Sequence, residues 1–281
     1  MQYYICDFKN KEINILDEVE YSFIEQCNNI IQKLNYYSFI KGLHEIWIEN
    51  TTDFFKGYSN TMKFFKEISP HIDTNTIKKE TLKCNKLLFN YLASFRTFVD
   101  KIQKTSEYMI LGKEYVTDIM NKFYDENPEY AFVYKLRNFA VHYNMVFNSI
   151  STDLNKIEIK CTKSHLMAYK DWNEKNKKFI SSFPENVPIY GCIQQVSPII
   201  EAIYLGFIKY FCEDVQLIDK ELCKLFKKYK VENPRFIQCE DITKIKDGAG
   251  FTMLGFSYET YIEFWKDAQK IPGVEITQGK K

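Results

Sequence analysis

Over most of its length this chain repeats apolar residues every three or four positions, the period of helices that bury one face. Between Asp17 and Ile68 the repeat runs through Ile30, Leu34, Tyr37, Phe39, Ile40, Leu43 and Trp47, and the polar run "ENTTD" at residues 49–53 interrupts it, so two helices are expected. Ser69-Pro70 ends the second, because proline has no amide hydrogen to give and its ring crowds the preceding turn. From Thr76 to about Leu111, Leu88, Leu92, Phe95, Val99 and Ile102 mark one long helix, whose stripe needs a neighbour of similar length. "DENPEY" starts that neighbour: Asn127 suits the N-cap, Pro128 the first helical position and Glu129 the positive end of the dipole. Helical spacing returns at about 193–229 and in "YETYIEFWKDA" near the end.

Strand signals are few. "QYYICDF" and "EINIL" flank Lys9-Asn10-Lys11 as a small hairpin, although neither alternates cleanly, and "KIEIKCT" pairs with part of "VFNSIST" across a turn near Asp153. The expected architecture is all-α, with a helical bundle over 76–230. Additional N-terminal helices in 1–75 pack on it, with a small β-hairpin and a C-terminal extension at 231–281. No Pro/Gly/Ser-rich stretch separates these parts, so one compact body is expected.

With 45% hydrophobic and 16% aromatic residues the chain can fill a sizeable core. Its 38 basic and 37 acidic residues give a net charge of +1, which excludes tight nonspecific DNA binding driven by bulk charge. Eight cysteines (Cys6, Cys27, Cys84, Cys161, Cys192, Cys212, Cys223 and Cys239) are scattered without a CxxC pair and read as reduced core residues of a cytoplasmic protein. The N-terminus lacks the basic start and apolar core of a signal peptide. The apolar run from Pro198 is interrupted by Glu201 and Lys209 and reads as too short for a membrane span.

Only three residues are arginine, Arg96, Arg137 and Arg235, so lysine serves wherever a generic positive charge suffices. An arginine in such a chain points to a need for the planar guanidinium fork. "YKLRNFAVHYNM", residues 134–145, places Arg137 and Asn138 shortly before His142. At about 100° per residue, Phe132, Val133, Leu136, Phe139, Ala140, Tyr143 and Phe147 form the core stripe, with Arg137 at its border. Asn138 and His142 are four apart and stack on the other side, within reach of a hydrogen bond that would fix the imidazole tautomer. Tyr134, Val141 and Met145 share that side. This second apolar strip is covered either by another helix of the same chain or by a second subunit across a two-fold axis.

An Arg, a polar residue and then a His four to six positions after the Arg resembles the mark of the HEPN superfamily, the higher eukaryote and prokaryote nucleotide-binding helical domains. The likeness extends to the long helix before the motif and the helices after it, over roughly Thr76 to Tyr229; the rest of the chain matches no named pattern. It implies a HEPN-like bundle and a metal-independent, cofactor-free endoribonuclease, acting on single-stranded RNA as a homodimer through the motif helix. Arg137, Asn138 and His142 would be catalytic, and a defence or stress toxin of this kind leaves room for a neutralising partner protein. Lys135 and Arg96, with Lys83 and Lys86, are candidates for a basic RNA-binding rim, although solvated helix faces carry such charges too. The alternative is a non-catalytic HEPN-like nucleotide-binding or protein-interaction module. Other motifs are poorer: "HEIWIE" at His44 lacks the second histidine of a zinc-protease helix, "DGAGF" reads as a turn, and His71 as a loop residue. His165 could approach the motif from the loop beyond it.

Overall fold

A computed structural model describes residues 2–9, 12–68, 73–107, 113–153, 156–229, 234–247, 251–254, 258–272 and 274. Of the interpretable residues 72% are helical, and a small antiparallel sheet accompanies them. Ser69-Pro70, His71 and the glycines of "DGAGF" lie outside the described residues. The chain divides into two units, one from its two ends, Met1–Phe39 with Ile208–Lys281, the other from Ile40–Tyr108 with Gly112–Phe207.

In the unit made from the chain ends, β1 (Gln2–Lys9) and β2 (Glu12–Glu18) form the expected hairpin. The other unit holds a second hairpin, β3 (Ser149–Asp153) and β4 (Lys156–Lys160). Two further strands that sequence reading missed, β5 (Pro234–Cys239) and β6 (Phe251–Leu254), extend the first hairpin into a sheet of order β2-β1-β5-β6. The chain is mostly helical as expected, and β5 and β6 enlarge the expected small β-hairpin into a four-stranded sheet. Alternation in β1 was hidden because both faces are buried: Tyr4 and Cys6 pack with Ile237 and Cys239, while Ile5 points the other way against Ile24 and Phe236. The predicted "YETYIEFWKDA" helix is present at Tyr258–Ala268; its Phe264 meets Tyr37 edge-on at 4.9 Å and Phe211 at 5.4 Å.

Two helices were expected up to Ile68, but α1 is one helix, Tyr21–Ile68. Its buried stripe runs straight through the polar segment, from Ile40 and His44 through Trp47, Thr51 and Phe54 to Thr61 and Phe65. Instead of capping a terminus, Asn50 and Thr51 donate side-chain hydrogen bonds to the carbonyls of Ile46 and Trp47 at 3.0 and 2.6 Å, so the turn absorbs its polar residues. Helix α2 spans Thr74–Ser106 behind an Asp73 cap, whose carboxylate accepts from the Asn75 and Thr76 amides. An unforeseen helix, α3 (Lys113–Glu126), precedes α4 (Pro128–His142). Two short unforeseen helices, α5 (Lys163–Met167) and α6 (Glu174–Ser181), follow β4.

Helix α7, Ile189–Tyr229, contains the apolar run that read as too short for a membrane. In the helix, Ile189–Gln216 is long and apolar enough to span one, by length and composition alone. A core helix passes the same test, and Ile193, Val196, Ile200, Ile203 and Phe207 are buried within the protein.

The described cysteine side chains, at 6, 84, 161, 192, 212 and 239, are free and buried. Burial pushes the Cys6 and Cys212 thiols up to about 11 and that of Cys192 to about 12, so they pack as protonated apolar groups.

Candidate functional site

Helix α4 lies among α2, α3 and α6, with the predicted N-cap and Pro128 at its start. Asn127 takes the extended N-cap conformation, yet its side chain donates back to the Phe123 carbonyl instead of capping α4. The core stripe of α4 is as expected at Phe132, Val133, Leu136 and Phe139, all buried, while Ala140 is half-buried and Tyr143 exposed. Phe139 anchors the end of the helix, stacked on Trp172 at 6.1 Å and met edge-on by His165 at 5.2 Å.

Arg137 and Asn138 are half-buried, and His142, the last residue of α4, is exposed. Among the described residues none of the three side chains has a hydrogen bond or ion pair, so the expected Asn138–His142 bond is absent. Around the helix Arg137 and His142 stand about 140° apart and about 7.5 Å along the axis. Asn138 sits between them. Lys135 lies on the His142 side of the helix, two turns earlier.

The four predicted charges near the motif divide by environment. Arg96 is fully engaged: its Nε donates to Asp100 at 2.7 Å and its guanidinium lies 3.7 Å over the Tyr134 ring, two turns from His142. Tyr134 also reaches Asp100, and burial raises its hydroxyl pKa. Lys83 pairs with Glu80 at 3.3 Å, whereas half-buried Lys135 has no pair among the described residues. Lys86 is exposed beside the motif.

Two members of the second apolar strip, Val141 and Met145, are left uncovered by the described helices. Val141 and Met145 are 38% and 52% exposed, and beside them α2 presents Leu82 and Phe89 at 55% and 44%. Met145, Leu82 and Phe89 rim a cleft of about 260 Å³ floored by Asn85, Ala140 and Val146. Tyr134, the third member of the strip, is instead half-covered by Arg96.

The segment beyond His142 is fixed from two directions. Asn85 donates to the Phe147 carbonyl and accepts from the Phe147 amide, both at 2.9 Å in a buried setting. His165 Nε2 donates to the Met145 carbonyl at 2.8 Å, which sets its tautomer because a carbonyl only accepts. His165 therefore joins the motif region, as one sequence reading allowed, and the Asn85 clamp had no sequence signal at all. Asn85→Ala orphans two buried backbone groups and is expected to lower stability by about 2–4 kcal/mol, read as a lower denaturation midpoint with an unchanged slope.

His44 is a core residue, stacked 3.8 Å from Tyr204 with Nε2 3.1 Å from Glu201. Among the described residues no group of three His, Cys, Asp or Glu side chains converges as a metal site. Compared with known proteins, this chain matches no family model, no curated protein and no solved structure.

Proposed function

We propose that this chain is a HEPN-type endoribonuclease that cleaves single-stranded RNA without a metal, at a site completed by a second copy of itself. One contrast carries the reading. In a chain with three arginines, Arg96 is bound by a carboxylate and an aromatic ring, whereas Arg137 has neither an ion pair nor a hydrogen bond among the described residues and stands on the helix that ends in exposed His142. A guanidinium kept for stability would be engaged as Arg96 is; one kept for a phosphate stays open.

The residue chemistry suits transesterification. Imidazole takes the proton from the 2′-hydroxyl or delivers one to the leaving 5′-oxygen, and Arg137 holds the equatorial phosphate oxygens in bidentate fashion as charge builds on them. The products are a 2′,3′-cyclic phosphate and a 5′-hydroxyl. With Arg137 and His142 on opposite borders of one helix face, two copies packed by Val141 and Met145 would supply the groups jointly. Asn138 makes no bond to His142 in the single chain and remains available to RNA or to the partner copy.

Purified protein incubated with total RNA in EDTA should release fragments ending in cyclic phosphate, and the Arg137→Ala/His142→Ala double variant should release none. Equal fragmentation by both, or none by the native chain, defeats the proposal. The alternative, a non-catalytic nucleotide-binding or protein-interaction module, draws on the same uncovered apolar face, which suits docking without chemistry. It predicts binding with no new RNA ends. A neutralising partner, as for a toxin, would dock on this face under either reading.

A further inference from the structure

Away from the motif helix's exposed face, the unit formed by Ile40–Tyr108 and Gly112–Phe207 contains a cleft of about 710 Å³. Small-molecule sites span about 300–1,000 Å³, so the space suits one ligand of modest size. Its walls come from the C-terminal half of α1, from β4 and from the start of α7. Tyr58, Tyr190 and Phe147 make an aromatic surface, with ring centroids 5.1 Å apart for the first two and 5.7 Å between Tyr58 and Phe147. Ile157, Ile159, Val187 and Pro188 continue it. The Tyr58 hydroxyl is turned to the Ile159 carbonyl at 3.4 Å, and burial pushes its pKa up to about 12, so this wall is uncharged.

The charges at the cleft are unbalanced. Lys63, Lys66 and Lys160 line it against one carboxylate, Glu158, which lies 3.6 Å from Lys160. Lys63 reaches Glu67 at 3.7 Å, but both are well exposed, so that pair holds the ammonium weakly. Lys66 has no pair among the described residues. A broad apolar surface edged by surplus ammonium groups is complementary to a flat, apolar body that carries an anionic group.

We infer that this cleft is a binding site for a small planar aromatic anion, its ring laid on the Tyr58–Tyr190–Phe147 wall and its charge met by Lys66, Lys160 and Lys63. The site is separate from the Arg137–His142 motif and stands whether or not that motif cleaves RNA.

Titrating the full chain with anilinonaphthalene sulfonate, a fluorescent molecule of this class, tests the assignment. Saturable binding of one dye per chain is expected. Lys66→Glu/Lys160→Glu should weaken it about tenfold or more at an unchanged melting temperature, and Met62→Trp, which fills the cleft, should abolish it. Uncharged phenylnaphthylamine should ignore the charge reversal. Competition by naphthalene carboxylate or by adenosine monophosphate tells an aryl acid from a nucleotide. The inference is overturned if binding does not saturate, if the charge-reversed chain binds the dye as tightly as the native one, or if dye is lost on Leu82→Ser/Phe89→Ser instead, which would locate it on the other apolar face.

Discussion

His142→Ala is expected to reduce RNA cleavage by roughly 10²-fold or more, the usual cost of removing a general acid–base group, while the melting temperature stays nearly unchanged. The side chain is exposed at the end of α4 and has no hydrogen bond among the described residues, so truncation removes chemistry and little packing. Arg137→Lys should be impaired comparably, because an ammonium keeps the charge and loses the fork. Arg96→Lys is the matched control. It gives up a stacked guanidinium 3.7 Å over Tyr134 and should cost about 0.5–1 kcal/mol of stability with cleavage intact. Steady-state cleavage of a labelled single-stranded RNA, with thermal melts of each variant, reads all three. Native-level cleavage by His142→Ala, or activity lost only because the chain no longer folds, removes the catalytic assignment to "RNFAVH".

Helices whose apolar stripe faces one core were legible in the sequence. Leu88, Leu92, Phe95, Val99 and Ile102 are all buried on α2, and Pro128 marks the start of α4. Errors arose where long-range structure overrides a local signal. "ENTTD" looks like a break because Asn and Thr compete for backbone bonds, yet here they bond back into their own helix and Thr51 occupies a buried position of the stripe. Strands β5 and β6 lie more than two hundred residues from the hairpin they extend, and no local pattern announces that pairing. At the candidate site, the polar trio was visible as residue types, and the exposure of His142 followed from helix phase. The neighbours were not visible. Arg96 on Tyr134, Asn85 on Phe147 and His165 on Met145 are tertiary contacts, and they separate an engaged arginine from an open one.

A second large effect is expected from Val141→Asp and Met145→Asp. Both side chains lie on the uncovered face that the proposed dimer would bury, and in the single chain they are 38% and 52% exposed. Folding of the monomer should therefore change by no more than about 0.5 kcal/mol, as for ordinary surface substitutions. Association is a different matter, since a two-fold axis brings every new carboxylate in twice and leaves it unpaired in an apolar contact. Such a charge costs about 3 kcal/mol or more, which is over a hundredfold in the dissociation constant. Light scattering at tens of micromolar should find the native chain as a dimer and both aspartate variants as monomers, with cleavage falling in step because each site then lacks half its groups. Val141→Leu should keep both properties. A native chain that is strictly monomeric, or an aspartate variant that is monomeric and still cleaves at the native rate, rules out the shared site and leaves Arg137 and His142 to act, if they act, within one copy.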